Sequence, residues 1–127
     1  MLLYDEVKLI LDCLIDEIPE EIFGELNGGV MLLEDEVTHP DSRDGNELYI
    51  LGQYHYEPRG LGRYVTLHYG SLCRVCQNMS TGQVEEKLRE VLRHELVHHL
   101  ENLAGDSSLE KKDKEDIEKY HARFDKR

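Results

Sequence analysis

Hydrophobic positions in this chain recur at two periods, and the change from one to the other marks out its elements. Val7, Ile10, Leu11, Leu14 and Ile18 fall at spacings of three and four, which predicts an amphipathic helix over 4–17. Cys13 is read with that stripe and is expected in the core. Pro19 interrupts the pattern, PEEIFGEL predicts a short second helix with Pro in its first turn, and Asn27-Gly28-Gly29 predicts a turn into a strand over 30–33. The polar stretch THPDSRDGN then reads as an exposed loop. Two segments rich in Tyr and in large or β-branched residues follow, ELYILGQYHY (47–56) and GRYVTLHYGS (62–71). The short Pro- and Gly-rich joint EPRGLG makes them an expected antiparallel hairpin.

The period returns to that of a helix over 83–104. No Pro or Gly occurs there, and Val84, Leu88, Val91, Leu92, Leu96, Leu100 and Leu103 supply a continuous apolar side. Ser80 with Gln83 reads as a capping box and Gly105 as a stop. After a turn, 109–124 predicts a last charged helix in which Ile117, Tyr120 and Phe124 can pack inward. Helices, then a small sheet, then a long helix give an α+β fold. With 127 residues the chain is the length of one domain, 1–127.

Charge narrows the function. Twenty-seven acidic against 15 basic residues leave a net charge of −12, which disfavours nucleic acid and anionic membrane surfaces as partners. The amino terminus carries Asp and Glu among its apolar residues and lacks a basic leader, so no secretory signal is expected, and no apolar run is long enough to span a membrane. Three cysteines are too few, and odd in number, for a disulfide scaffold. A reducing, cytoplasmic setting is expected. Cys73 and Cys76 form a lone C-x-x-C, a weak signal without a second pair.

Chemistry concentrates at His94-Glu95-Leu96-Val97-His98. Residues i and i+4 share a helical face, so His94 and His98 can offer nitrogens to one Zn²⁺ ion, and Glu95 between them can take a proton from a water. H-E-x-x-H within a helix is the zincin signature of metallopeptidases. Such a site needs a strand beside it that aligns a substrate backbone. The 62–71 strand, nearest in sequence to the motif helix, is the expected one. Tyr69, His68 and His99 are candidate oxyanion or substrate contacts, although His99 projects about 100° from His98 and reads more readily as a packed histidine.

These residues resemble a family of small bacterial zincin-like metallopeptidases described as a minimal zincin fold. The resemblance runs from about Ile18 to Asp116, through ELNGGVMLL, ELYILGQYHYEPRGLGRYVTLHYGS and LRHELVHHLENLAGDSSLEKKD. The family pattern is H-E-x-x-H-x-x-G-x-x-D, which His94, Glu95 and His98 match. The family Gly and Asp would fall at Glu101 and Ala104, and the glycine here comes later, at Gly105. The resemblance implies a third, acidic ligand: Asp106 just beyond the displaced turn, or Glu110 on the next helix, with Glu101 a poorer choice because all ligands would then lie on one straight helix. Ala104 cannot ligate, which disfavours metzincins and the zinc-dependent ribosomal-RNA endonucleases. The expected activity is zinc-dependent hydrolysis of a peptide or protein substrate with Glu95 as general base. Two alternatives stay open: a catalytically silent zincin-like domain acting as a metal-binding or protein-interaction module, and a hydrolase of something other than peptides.

Overall fold

The computed structural model describes residues 1–42 and 47–105. It is α+β. Helix α1 spans Tyr4–Glu17, a 3₁₀ turn covers Glu20–Phe23, strands β1, β2 and β3 span Gly29–Leu33, Gly52–Glu57 and Gly62–His68, and helices α2 and α3 span Tyr69–Val75 and Thr81–Ala104. The expected helix over 109–124 lies outside the described residues. Among those described, no helix is long and apolar enough to cross a membrane.

Local chemistry accounts for the element ends. The Ser80 hydroxyl accepts from the Gln83 N–H at 3.2 Å while Gln83 accepts from the Ser80 N–H at 2.9 Å, so two otherwise orphaned donors at the start of α3 are satisfied. At the other end Gly105 takes a left-handed φ of 76° that a side chain would disfavour, and its N–H closes onto Asn102.

The sheet has the order β1-β3-β2, with β1 parallel and β2 antiparallel to β3. The expected hairpin is present. However, β3 is the central strand rather than an edge: β1 pairs along one side from Gly29↔Tyr64 to Leu33↔His68, and β2 along the other from Gly52↔Leu67 to Glu57↔Gly62. Both of its ladders are filled, so it cannot accept a further strand. The strand beside the motif helix that remains an edge among the described elements is β2. The stretch read as strand to residue 71 also stops at His68, because Tyr69-Gly70-Ser71 already belong to α2.

One face of the sheet carries the core. Val65 and Leu67 of β3 and Leu32 of β1 pack with Val7, Leu11 and Leu14 of α1, Val84, Leu88, Leu92 and Leu96 of α3, and Leu72 and Cys76 at α2. Each fully buried aliphatic contributes about 1.5–3 kcal/mol. Cys13 departs from expectation and is exposed; at 100° per residue it stands about 120° from the Val7–Leu11–Leu14 line. Leu100 and Leu103 are likewise exposed at 40% and 37%, so the apolar side of α3 is buried only as far as Leu96.

Candidate functional site

Helix α3 presents Lys87, Glu90, Val91, His94, Glu95 and His98 along one side, at the three- and four-residue spacing that stacks side chains over successive turns. Opposite runs the segment from Leu48 to Tyr54, and His39 closes the wall. The two sides enclose a groove of about 750 Å³, within the usual range for ligand sites. The H-E-x-x-H residues therefore line the wall of a cleft. The rings of His94 and His98 stand edge to face with centroids 4.8 Å apart. Glu95 and His98 are only 7% and 9% exposed, and His94 is half-buried.

A missing side chain makes this approach possible. A Cβ on Gly52 would lie 2.7 Å from Cγ1 of Val91, 2.9 Å from Cδ2 of Leu67 and 3.4 Å from Cγ of Glu95. Only glycine lets the backbone of β2 come this near to α3. Leu51 accepts from the His68 N–H at 2.9 Å, so odd-numbered residues of β2 direct their peptide groups at β3. By the alternation of an antiparallel ladder, Gly52, Tyr54 and Tyr56 direct theirs to the other side, where no described strand pairs with them. Just before β2 that outer side is occupied: Thr38 bridges to Tyr49, and Ile50 donates to Val37 at 2.9 Å.

The three expected substrate contacts lie elsewhere. His99 is fully buried; its Nε2–H donates to the Gly24 carbonyl at 2.8 Å, which leaves Nδ1 to accept from the Tyr54 hydroxyl at 2.8 Å. His68, 3% exposed, is held between Asp35 Oδ1 at 2.7 Å and Gln53 Oε1 at 3.0 Å. Tyr69 opens α2, donates to the Leu2 carbonyl at 2.6 Å and meets Tyr4 edge to face. Burial, with the Cys73 thiol beside it, pushes Tyr69 up to about 12. None of the three lines the groove. Cys76 is buried and its thiol is pushed up by desolvation, the opposite of what a reactive thiolate needs.

Among the described residues, no group of three His, Cys, Asp or Glu side chains is placed to hold a metal ion. Asp106 and Glu110 lie outside the described residues. His39, Gly52 and Tyr54 are groove residues that the hydrophobic pattern did not single out. Gly52 sat inside an apparent strand, where an isolated glycine signals close backbone approach. For His39 the loop composition carried no such signal.

No family model matches the chain, and no curated protein matches it. Among solved structures, a conserved hypothetical protein from Thermus thermophilus is similar, with a TM-score of 0.68 and 31% identity over 81% of this chain and 98% of the other. With that identity sustained over nearly the whole of the other protein, the chain belongs to the same family as this conserved hypothetical protein.

Proposed function

We propose that the protein is a zinc-dependent peptidase whose catalytic groove lies between α3 and the edge strand β2. The observation that carries this reading is the placement of Glu95: a carboxylate only 7% exposed, flanked on its helix by two histidines on the wall of a groove and backed by Gly52 of an edge strand. The donor set fits zinc, since His94 and His98 supply two imidazoles from consecutive turns with their rings 4.8 Å apart. Asp106, or alternatively Glu110, would complete the set. Bound there, zinc would supply Lewis acidity, making a water more acidic and a carbonyl more electrophilic.

The remaining work falls to the chain. Glu95 accepts the proton of the attacking water and returns it to the departing amine, the role of a general base that becomes a general acid. The outward peptide groups of Gly52 and Tyr54 can pair with an extended substrate as an added strand, which holds the scissile bond at the level of Glu95. The exchange of Glu95 for Gln tests this. It keeps shape and removes basicity, so zinc measured by elemental analysis should stay near one per chain while hydrolysis of an unstructured protein falls roughly 10²-fold or more. Equal turnover by the two proteins would remove Glu95 from the mechanism. A zinc-loaded wild type inactive on a broad peptide library would favour the silent binding module instead.

A further inference from the structure

The groove contains a histidine with no role in the scheme above. Its surroundings fix what it can do. His39 opens a four-residue turn, His39-Pro40-Asp41-Ser42, closed by a 3.0 Å bond from the Ser42 N–H to the His39 carbonyl. Pro40 occupies the position where its fixed φ favours such a turn. The turn is tied to the groove wall: His39 N–H donates to the Leu48 carbonyl at 2.7 Å, and the Leu48 N–H donates to the Ser42 hydroxyl at 2.9 Å. His39 is thus mounted on an anchored turn.

The ring is oriented as well. The Asp41 N–H donates to His39 Nδ1 at 3.0 Å, so Nδ1 carries a lone pair and the proton of the neutral ring sits on Nε2. Asp41 Oδ2 stands 3.5 Å from the same nitrogen, a contact that needs a protonated Nδ1 and cannot coexist with that N–H bond. The shorter, directed backbone bond decides for the Nε2–H tautomer. Nε2 has no hydrogen-bond partner among the described residues, and the side chain, 24% exposed, lines the groove with His94, Glu95 and His98.

Three other donors along the groove are committed or misplaced. The Tyr54 hydroxyl donates to His99. Gln53 sits on the other face of β2, with its amide oxygen on His68. Lys87 lies two turns before His94, about 10 Å along the helix, with Nζ 3.7 Å from Glu90.

We propose that His39 is a catalytic residue of this groove, its Nε2–H donating a hydrogen bond to the substrate carbonyl oxygen and to the negative charge that oxygen gains as water adds. The assignment rests on the peptidase reading above. A donor fixed before substrate arrives needs no reorganisation during the reaction, and removing one such donor typically costs about 10²–10³-fold in kcat. His39 is not part of the hydrophobic core and is not one of the proposed zinc ligands, so its loss should leave fold and zinc content intact.

The experiment compares wild type, His39→Ala, His39→Gln and Glu95→Gln, all zinc-loaded. Its readouts are zinc content, thermal midpoint, kcat and KM on one unstructured peptide, and affinity for a peptide phosphonate, which mimics the tetrahedral anion. His39→Ala should keep zinc and midpoint, lose roughly 10²-fold in kcat with KM little changed, and lose phosphonate affinity in parallel. His39→Gln, which restores an N–H near the same place, should recover part of both. Long-range proton–nitrogen NMR of the wild type should show His39 protonated on Nε2. A ring protonated on Nδ1 alone would overturn the assignment whatever the activities. So would wild-type kcat and phosphonate affinity in His39→Ala while Glu95→Gln is inactive, an outcome that leaves the peptidase reading standing. If the wild type neither holds zinc nor binds the phosphonate, the peptidase reading fails and the His39 assignment falls with it.

Discussion

Gly52 backs directly onto Glu95, with the carboxylate's Cγ 3.4 Å from the place a Cβ on Gly52 would take and Val91 Cγ1 only 2.7 Å away. Because Val91 is β-branched and stiff at χ1, the Gly52→Ala methyl has to push β2 off α3. Overpacking of this kind costs about 1–3 kcal/mol. The variant should show a lowered urea midpoint and, if the proposed peptidase activity holds, reduced peptide hydrolysis, since the same displacement moves the strand away from Glu95. Val91→Ala opens the contested space, so the double variant should be more stable than the sum of the single effects by about 1 kcal/mol or more. Strict additivity would show that the two elements are not in contact at Gly52.

A second relationship, between Tyr54 and His99, predicts an effect of similar size without any steric clash. His99 is fully buried with Nε2 on the Gly24 carbonyl, so Tyr54→Phe strands Nδ1 in the core as an unsatisfied acceptor. Leaving such a group unpaired costs about 1–3 kcal/mol. Tyr56 is 49% exposed and serves as the control, because its hydroxyl deletion should fall within about 0.5 kcal/mol of wild type. Equilibrium urea unfolding of both variants separates the two. A harmless Tyr54→Phe would mean that water replaces the hydroxyl at Nδ1.

How far the sequence discloses this arrangement depends on whether the determinant is local. The helix of Val84, Leu88 and Leu92 with its Ser80–Gln83 box, and the hairpin around EPRGLG, rest on neighbours in the chain, and both form as expected. Strand order is not local. Nothing near Val65 or Thr66 announces that β1, more than thirty residues earlier, will pair along their free side and turn an expected edge into the centre of the sheet. The same limit separates the histidines. His68 and His99 look like groove candidates by their nearness in sequence to the motif, yet Asp35, Gln53, Tyr54 and Gly24, all distant in sequence, hold them away from it. His39 enters the groove only because its turn is tied to Leu48.

The outer face of the hairpin predicts a pH dependence of stability. His55 stacks on Tyr64 with centroids 4.5 Å apart and shares a 2.8 Å hydrogen bond with Thr66; burial holds its pKa below the ordinary 6.5, against an opposing pull from Glu57. A depressed histidine pKa means that the unfolded chain binds the proton first as pH falls. Stability from His55 is therefore complete above about pH 6.5 and is lost progressively below it. His55→Gln should flatten the curve of unfolding free energy against pH across that window while leaving the plateau above it parallel to wild type. An unchanged slope between the two proteins would show that another group carries the acid transition.

For the proposed zinc site, the geometry at the end of α3 bears on which acid would be the third ligand. His94 and His98 offer their rings from consecutive turns, and Gly105, at φ 76°, reverses the chain less than two turns beyond His98. An acid immediately after such a reversal can be directed back toward an ion held by the preceding turns, which favours Asp106; Glu110 relies on its longer side chain to reach from farther along. Asp106→Ala should therefore weaken zinc binding by an order of magnitude or more in competition with a chelator, and Glu110→Ala should leave it near wild type. The thermal midpoint of each variant without metal, compared with wild type, separates a lost ligand from a damaged fold. A large loss in Glu110→Ala alone would move the ligand to Glu110. No loss in either would point instead to Glu101, to a later acid such as Asp113, or to a site of two histidines.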